Sequence, residues 1–426
     1  MTSSELAVFI YLPGSIQAVP AGLLTLSELG PTVQGSGFGY GLRYLDRPDA
    51  LEVDPVSLDL HNRAAARGVL LYPKSGLTQF GAIRDAAPDA WGRRVLEAQH
   101  RVPANSLPES EYLLGAGSNR VGALDVRKDL SAMPSQGGPS SVQNLDYLLE
   151  AARRIESGLK VPARLDLIFG SGAALGGARP KVTVVDQDER RWLAKLPSTT
   201  DNWDVPQVEE ATLRLAREAG LDVPETRLVD LGKNEHVLLI ERFDRAGRGK
   251  ATTRRHFISA LSLVGCTEMD SPQKSYADIA DGLRLHGDAV RLEADLEELF
   301  VRMVFNILVT NDDDHLRNHG LLRDVNGWTP SPLYDVVPRP TYATERFLHL
   351  GIGAQGRLAT LPNAMSWSSR FGLTQDRAHA AIDRVWRVAR EWKERFESYG
   401  VPPTLIQKVE SAFRHARDVG GGQLGL

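Results

Sequence analysis

A polar loop with three consecutive carboxylates, residues 310–320, follows a strongly apolar stretch at residues 299–309. Three adjacent carboxylates repel one another, so ionising all of them costs free energy unless a cation or water offsets the charge. Mg²⁺ would offset it, because hard cations take oxygen ligands. Asp313 and Asn318 also have the D-x-x-x-x-N spacing of a kinase catalytic loop, in which the Asp orients a substrate hydroxyl and the Asn binds Mg²⁺. A solvated acidic turn that caps the helix is the alternative.

Asp335 is a second candidate, because this acid stands alone among apolar residues 17 positions after Asn318. An acid in such surroundings is a salt-bridge partner, a turn former or a metal ligand. In kinases a second Asp downstream of the catalytic loop holds Mg²⁺ against the β- and γ-phosphates. The spacing of Asp313 and Asn318 upstream therefore favours the metal-ligand interpretation.

A lysine, Lys195, interrupts the apolar strand predicted at residues 191–196. Lysine is rarely buried without a partner. In kinases a strand lysine contacts the nucleotide phosphates and pairs with a glutamate on a helix. Glu209, on the inward face of the helix predicted at 208–219, is the proposed partner, and Glu210 is the adjacent alternative. A lysine that snorkels to water from an edge strand is the other interpretation.

Residues 170–181 form a glycine-rich loop that ends in basic side chains. The loop is not a G-x-G-x-x-G motif, because Leu175 occupies the last glycine position, and no G-K-[ST] follows as in a Walker A loop. Its small residues still let backbone N–H groups approach phosphates, and Arg179 and Lys181 supply positive charge. A plain flexible turn is the alternative.

Three weaker patterns complete the set of candidates. Residues 241–243 end a predicted strand, where their backbone groups could contact a nucleotide base, and an ion-pair cluster at the strand end is the alternative. His315 and His319 have half of the spacing of a zinc-protease motif, but Leu316 stands where that motif needs a glutamate. Cys266 has no evident base beside it and is interpreted as a packed thiol.

The elements that must position these residues follow an α+β order. Strands are favoured up to about residue 125, where we predict no site chemistry, and residues 130–142 have the composition of a linker. The chain is mostly helical from residue 257 onward, with helices predicted at 256–264, 275–285, 293–309, 374–396 and 403–418. The predicted domains are a β-rich N-terminal subdomain, a small lobe with the glycine-rich loop and a helical C-terminal lobe with the catalytic loop, at residues 1–125, 126–248 and 249–426.

Composition and charge exclude several classes of protein. Of the 426 residues, 24% are charged and 42% are hydrophobic, which excludes global disorder and collagen-like or coiled-coil chains. The net charge of −4 gives no overall basic field for nucleic acid or membrane. The single cysteine excludes a disulfide framework and a multi-cysteine zinc site, and it fits a reducing cytosol. The sequence has no run of 18 apolar residues and no basic segment before its first short apolar run, so we expect a cytoplasmic protein without a spanning helix or a signal peptide.

In order and spacing, five segments resemble the HipA family of serine/threonine protein kinases, the toxin halves of bacterial toxin–antitoxin pairs. The segments are LGGARPKV (175–182), WLAKLPS (192–198), LLIERFDR (238–245), TNDDDHLRNHGLL (310–322) and PLYDVVP (332–338). The resemblance covers essentially the whole chain. It implies an α+β, protein-kinase-like fold of two lobes, with an N-terminal β-rich subdomain and an all-helical C-terminal lobe, and ATP bound in the cleft between the lobes.

The resemblance also implies a role for each candidate residue. Asp313 would be the catalytic base, Asn318 and Asp335 would be the Mg²⁺ ligands, and Lys195 would bind phosphate during catalysis. Residues 241–243 would form the hinge, and the glycine-rich loop would cover the phosphates. The residues implied to contact ATP are Gly176, Gly177, Ala178, Arg179, Lys181, Lys195, Glu209, Glu241, Phe243 and His315.

Partners are implied by the resemblance as well. Relatives phosphorylate aminoacyl-tRNA synthetases and so stop translation, and a small HipB-like helix-turn-helix antitoxin neutralises them and represses their operon together with them. Operator DNA would therefore be contacted through the antitoxin, and no membrane partner is implied. Local arginines that could graze a DNA backbone beside that partner are Arg242, Arg245, Arg248, Arg254 and Arg255. A pseudokinase that binds ATP without turnover and docks in the repressor complex is the alternative.

One position departs from the family pattern. Members usually carry a serine just before the LGG segment, and autophosphorylation there expels the loop and switches the kinase off. This chain has Ala174 at that position, and Ser171 lies three residues earlier. Ser171 is therefore the candidate for autophosphorylation, whereas catalysis itself needs no hydroxyl at residue 174.

Overall fold

A computed structural model describes four stretches of the chain, residues 2–135, 138–172, 177–232 and 235–426. The chain forms two compact units. The first contains Met1–Asp201 and Val229–Ile258, and the second contains Asn202–Leu228 and Ser259–Leu426. Both helices and sheets contribute, which confirms an α+β chain. The arrangement in two lobes and the three-domain division stay predictions.

The first unit begins with a four-stranded antiparallel sheet. Its strands are β1 (Thr2–Tyr11), β2 (Ala18–Leu29), β3 (Thr32–Tyr40) and β4 (Leu124–Arg127). Their order in the sheet is β3-β2-β1-β4. Residues 6–11 of β1 are all buried, because this central strand is covered on both faces. Between β3 and β4 the chain forms helices α1 (Leu42–Leu45), α2 (Gly81–Ala86), α3 (Ala90–His100) and α4 (Glu109–Gly115).

The middle of the chain carries the second sheet. The strands of this stretch are β5 (Ser140–Ser141), β6 (Lys181–Val185), β7 (Arg191–Lys195), β8 (Thr226–Asp230), β9 (His236–Glu241), β10 (Arg245–Ala246), β11 (Thr253–Arg254) and β12 (His256–Ser259). Of these, β10 and β11 form a separate two-stranded sheet. The helices of this stretch are α5 (Leu145–Glu156), α6 (Leu167–Ser171) and α7 (Val205–Glu218), and α7 belongs to the second unit. The sheet has the order β5-β6-β7-β9-β8, and β6 and β9 are both antiparallel to β7.

A hydrophobic core lies against this sheet within the first unit. Trp192 of β7 and Val184 of β6 contribute from the strands, and α3, α5 and α6 contribute apolar side chains from the other side. Trp91 of α3 is fully buried in the same core, and its Nε1 donates a hydrogen bond to the carbonyl oxygen of Lys181 at 2.8 Å. This core therefore fixes the lysine-bearing strand pair to a helix from the N-terminal part of the chain.

The second unit is mostly helical, as the sequence predicts. Besides α7 its helices are α8 (Ala260–Val264), α9 (Tyr276–His286), α10 (Leu292–Val309), α11 (Leu361–Ser366), α12 (Gln375–Ala389), α13 (Trp392–Ser398) and α14 (Pro403–Val409). Strands β13 (Gly320–Arg323) and β14 (Trp328–Pro330) form an antiparallel hairpin. Helix α10 packs against α9 and α12, and every residue from 299 to 309 is buried, so the apolar stretch of the sequence is the central helix of this unit.

Three of the predicted helices are wrong in extent. The helix predicted at 403–418 ends as α14 at Val409 and is followed by short 3₁₀ turns at Glu410–Ala412 and Ala416–Val419. The helix predicted at 374–396 is two helices, because α12 ends at Ala389 and α13 begins at Trp392. The helix predicted at 256–264 starts as strand β12, and only its second half is helical. Across the stretches that the structure describes, no helix combines the length and the apolar character needed to cross a membrane.

Candidate active site

The polar loop after α10 starts at a residue that ends the helix sharply. Thr310 has the left-handed conformation, with φ +50°, which turns the chain out of the helix. Asn311 then donates from its backbone N–H to the Asn306 carbonyl at 3.0 Å and from its side-chain amide to the Asn306 side chain at 3.1 Å. The loop is thus attached to the last turn of the central helix before its first carboxylate.

The three consecutive carboxylates occupy three different environments. Asp312 forms an ion pair with Arg339 at 3.0 Å, whereas the Asp313 side chain is 59% exposed and Asp314 is almost completely buried. Burial raises the pKa of Asp312, and Arg339 opposes that rise. Because the backbone directs the three groups apart, their mutual repulsion is relieved without a cation. The DDD run alone is therefore no evidence for a metal ion, contrary to the sequence argument.

Asp313 and Asn318 are brought together as their spacing predicts. The Asn318 side-chain amide donates to the backbone carbonyl of Asp313 at 2.7 Å, and the Asn318 backbone N–H donates to the His315 carbonyl at 2.8 Å. Asn318 is buried, and Asp313 projects its carboxylate toward solvent. His315 lies beside it, with Nε2 3.9 Å from the Asp313 Oδ1. The loop therefore presents one accessible carboxylate over a buried, hydrogen-bonded asparagine.

Asp314 anchors the loop from inside the unit. Its two carboxylate oxygens accept hydrogen bonds from the Tyr276 hydroxyl at 2.7 Å and from the His349 backbone N–H at 2.6 Å. The Tyr276 hydroxyl also accepts a hydrogen bond from the Asn306 amide at 2.9 Å, which links Asp314 to the central helix. Burial raises the pKa of Asp314 to about 7, and burial lowers the pKa of His319, which lies against Tyr276, to about 3. Sequence reasoning treated Asp314 only as part of the acidic run and missed its role as an anchor.

Asp335 lies in an irregular segment that is tied to the catalytic loop. Its backbone has φ +59°, a left-handed conformation that non-glycine residues seldom adopt and that costs of order 1–3 kcal/mol. The adjacent Tyr334 hydroxyl donates to the carbonyl oxygen of Arg317 at 2.7 Å, next to Asn318. The segment is thus held against the loop at the residue before Asn318, and the pairing of Asp335 with Asn318 as metal ligands stays a prediction.

The donor atoms of this region fit Mg²⁺ carried by a nucleotide. Asn318 uses its amide N–H in the hydrogen bond to Asp313, which leaves its Oδ1 as the ligating end, and Asp335 supplies carboxylate oxygens. In the part of the chain that the structure describes, no three His, Cys, Asp or Glu side chains gather into a metal-binding cluster. Mg²⁺ in phosphoryl-transfer sites is held by one or two protein oxygen ligands together with substrate phosphates, so such a cluster is not required.

In the first unit the strand pairing places two predicted phosphate-binding residues opposite each other. Lys181 of β6 is the direct partner of Lys195 of β7, and each is only 5% exposed. Like charges directly opposite on adjacent strands are unfavourable, and buried lysines need compensating negative charge. Gly177 has φ +91°, and a Cβ added there would collide with the Lys181 ammonium group. The end of the glycine-rich loop therefore lies against the ammonium group of one of these two buried lysines.

The glycine-rich loop is also held by residues that the sequence did not single out. The Asp89 carboxylate accepts a hydrogen bond from the Gly177 N–H at 2.8 Å, and the Trp91 N–H donates to the Gly177 carbonyl at 3.0 Å. We predicted no site chemistry in the first 125 residues, and these contacts show that part of this region serves as a scaffold for the glycine-rich loop. The sequence signal that could have found them is the Asp-Ala-Trp segment, in which an acid and a large aromatic residue stand two positions apart. Ala178 is exposed next to them, whereas Gly176 and Ala174 lie outside the described residues.

Arg179, predicted to contact ATP, and Ser171, the candidate for autophosphorylation, both have polar contacts within the chain. Arg179 forms an ion pair with Asp201, so its charge is already shared. Ser171 is fully buried at the end of α6, and its hydroxyl donates to the Leu167 carbonyl at 3.0 Å. Phosphorylation of Ser171 would require the end of α6 to open.

Glu209 and Glu210 differ in their surroundings on α7. Glu210 accepts a hydrogen bond from Thr226 at 3.3 Å and lies 3.9 Å from Arg214, and burial raises its pKa. Glu209 is more deeply buried, at 2% exposure. Lys195 belongs to the first unit and Glu209 to the second, so their pairing stays a prediction.

The segment after β9 contains a buried ion-pair cluster. Glu241 ends β9 opposite Trp192, and Phe243 is half-buried. Asp244 accepts from Arg242 and from Arg245, each at 2.7 Å. Burial alone would raise the pKa of Asp244, but these two arginines hold it well below its ordinary value. The predicted DNA contact by Arg242 and Arg245 is therefore wrong, because both side chains are buried in this cluster, and the nucleotide contact by residues 241–243 stays a prediction.

Comparison with known proteins gives a consistent set of matches. A family model described as the HipA-like C-terminal domain matches residues 173–392, which include both the lysine-bearing strands and the catalytic loop. A protein of Haemophilus influenzae described as a candidate kinase is 29% identical over 188 residues, which are 40% of this chain and 54% of that protein. In that match the chain spans about half the length of the relative. A candidate kinase of Sinorhizobium fredii is 28% identical over 334 residues, 72% of this chain and 73% of that protein.

A third relative has a solved structure. The serine/threonine-protein kinase toxin HipA of Shewanella oneidensis is 27% identical over 148 residues, 32% of this chain and 34% of that protein. The structure of the Shewanella oneidensis HipA, HipB and operator DNA complex contains a chain that matches with a TM-score of 0.66 and 15% identity, over 95% of this chain and 94% of that one. At that level of identity the likeness concerns the fold.

Proposed function

The chain belongs to the HipA family, and on that premise we propose that it is a protein kinase that transfers a phosphoryl group from ATP to a serine or threonine hydroxyl. The observation that carries the proposal is the loop from Asp313 to Asn318. This loop has the spacing of a kinase catalytic loop. The Asp313 carboxylate is exposed, and the side-chain amide of the buried Asn318 donates a hydrogen bond to the Asp313 backbone carbonyl. The residues matched by the family model include this loop.

The roles of the residues in the second unit follow from their surroundings. Asp313 accepts a hydrogen bond from the substrate hydroxyl and orients its oxygen, because its carboxylate is accessible and its neighbours on both sides are fixed. Asn318 and Asp335 hold Mg²⁺ through oxygen atoms. When bound, Mg²⁺ neutralises charge on the phosphates during transfer.

The first unit supplies the phosphate contacts in this proposal. Lys195 and Lys181 face the same side of the strand pair, so together they balance the charge of the ATP phosphates. The end of the glycine-rich loop, fixed at Gly177 by Asp89 and Trp91, keeps backbone groups close to the Lys181 ammonium group. Glu209 orients Lys195 in this scheme, and residues 241–243 contact the base.

The biological setting is proposed from the family. A kinase of this family would act as a toxin on a protein of the translation machinery, such as an aminoacyl-tRNA synthetase. A HipB-like helix-turn-helix antitoxin would neutralise it and would connect it to operator DNA. The solved relative was crystallised with HipB and its operator DNA, which supports an antitoxin partner for this chain.

The experiment compares transfer of labelled γ-phosphate from ATP and Mg²⁺ to bacterial lysate proteins by the wild-type chain and by Asp313→Asn. We expect the variant to lose at least about 100-fold in transfer, the lower range for removal of a general base, and to keep its affinity for ATP within about threefold. Asp376→Asn on the exposed start of α12 is the matched control and should transfer at the wild-type rate. An Asp313→Asn chain that transfers as fast as wild type would refute the assignment. ATP binding without transfer by wild type would favour the pseudokinase.

A further inference from the structure

A cationic pocket lies in the first unit at the Arg191 end of β7, beside residues 241–243 and away from the lysine pair. The pocket has a volume of about 220 Å³ and is bounded by the end of β1, the start of β7 and the connection between β10 and β11. Four cationic residues line it, namely Arg191, Arg245, Lys250 and Arg254. Among the described residues no Asp or Glu lines the pocket. Arg191 and Lys195 are the two ends of β7, so the pocket is about 13 Å along the strand from the lysine pair.

Two residues of the pocket wall carry donors without an acceptor. The Asn119 side chain is only 6% exposed, and its Nδ2 is buried with no hydrogen-bond partner among the described residues. The buried Nη1 of Arg254 has no such partner either, although its guanidinium lies 3.9 Å from the centre of the Tyr11 ring. A buried donor without an acceptor costs about 1–3 kcal/mol, so native sites usually supply one. A group rich in acceptor oxygens would satisfy both donors, Asn119 Nδ2 and Arg254 Nη1.

The local charge balance leaves an excess of positive charge. Arg245 shares Asp244 with a neighbouring arginine at 2.7 Å, so its charge is compensated. Glu189 lies beside Gly249 of the pocket wall, where an added Cβ would collide with its carboxylate, and it offsets one more charge. Four cations against these two acids, one of which is shared with Arg242, leave a net positive charge around the pocket. Burial and the nearby Arg242 lower the pKa of Arg191, and Asp244 and Glu189 offset this only in part.

From this geometry we infer that the pocket binds a phosphate group, either inorganic phosphate or a phosphoryl group carried on a protein serine. A tetrahedral oxyanion suits this positive charge and offers acceptors in several directions to Asn119, Arg191, Lys250 and Arg254. The volume is below the range of about 300–1,000 Å³ that is usual for drug-sized ligands, so a whole nucleotide is disfavoured. The inference goes beyond the proposed kinase activity and does not depend on it.

The test is calorimetric binding of inorganic phosphate to the full-length chain at pH 8, at fixed ionic strength and without nucleotide or Mg²⁺. Arg191→Gln should weaken phosphate binding at least about tenfold, because it removes a charge-assisted hydrogen-bond donor. Lys250→Gln, at an exposed residue that carries no risk to folding, should weaken it in the same direction. Arg248→Gln is the matched control, since Arg248 is exposed in the same connection but does not line the pocket.

The outcomes separate the pocket from other phosphate sites. Weaker binding by the Arg191 and Lys250 variants, with Arg248→Gln unchanged, supports the inference. Absence of phosphate binding by wild type, or equal losses in all three variants, overturns it. Binding lost in Lys195→Met but kept in Arg191→Gln also overturns it, because the phosphate would then lie at the lysine pair. A phosphoserine peptide that binds at least about tenfold tighter than inorganic phosphate would identify the source as a protein, and equal or weaker binding would identify free phosphate.

Discussion

Replacement of Asp314 by Asn should change how the stability of this protein depends on pH. Asp314 is buried behind the catalytic loop, and burial raises its pKa to about 7. In the unfolded chain an Asp ionises near pH 3.9. Between these two values the unfolded state has lost the proton and the folded state keeps it, so rising pH favours unfolding over this range.

The magnitude follows from the size of the shift. Each unit of pKa difference corresponds to 1.36 kcal/mol, so a folded pKa of about 7 costs the wild-type chain about 4 kcal/mol once pH exceeds 7. Most of that cost is acquired between pH 4 and pH 7, at about 1.4 kcal/mol per pH unit. Asn cannot ionise, so the free energy of unfolding of Asp314→Asn lacks this pH dependence. The substitution also places an NH₂ group in place of a carboxylate oxygen beside the Tyr276 hydroxyl, which changes the free energy of unfolding by an amount that is independent of pH.

The assay is urea unfolding of wild type and Asp314→Asn at pH 5, 6, 7 and 8, with nucleotide absent and metal ions chelated. The free energy of unfolding of the variant minus that of wild type should increase by about 3 kcal/mol from pH 5 to pH 8. Titration of all other groups cancels in this difference. Asp376→Asn at the exposed start of α12 is the control and should show a difference that is flat with pH. A flat difference for Asp314→Asn as well would refute the reasoning, since it would mean that Asp314 ionises normally in the folded protein.

Two further substitutions test the contacts around the proposed site. Asp244→Asn should lower the free energy of unfolding by about 3–5 kcal/mol, because it leaves two buried guanidinium groups without their carboxylate. The control Asp188→Asn, on the exposed β6–β7 turn, should change the free energy of unfolding by less than about 0.5 kcal/mol. Equally small effects of both variants in urea unfolding would contradict this prediction. Tyr334→Phe removes the 2.7 Å hydrogen bond to the Arg317 carbonyl and should raise the Mg²⁺ concentration for half-maximal phosphoryl transfer by about threefold to tenfold, the effect of one hydrogen bond of about 1 kcal/mol. Tyr342→Phe, at a residue that is 96% exposed, is its control, and an unchanged Mg²⁺ requirement in Tyr334→Phe would show that this hydrogen bond does not position Asp335.

The parts of the site that sequence could predict are those set by short spacing. Asp313 and Asn318 are five residues apart, so a single turn brings them together, and the apolar stretch before them has the pattern of the central helix that α10 forms. The contacts of Gly177 with Asp89 and Trp91 could not be read from the sequence, because they join residues more than 80 positions apart and depend on how α3 packs against the second sheet. The break between α12 and α13 was missed for a related reason, since the apolar periodicity of 374–396 continues through it.

The structure also changes the physical meaning of the acidic run. A cation is not needed to hold three adjacent carboxylates, because Asp312 is neutralised by Arg339 and Asp314 is buried with raised pKa against Tyr276. These two residues fix the backbone immediately before and after Asp313, and Asn318 fixes its carbonyl. The carboxylate that is left exposed is therefore flanked by residues that are fixed through contacts within the chain. An enzyme loses rate when a catalytic group is displaced by as little as about 1 Å. Asp312 and Asp314 would therefore act as positioning residues for Asp313. The acidic run would then serve catalysis through the rigidity of these two residues and not through their charge.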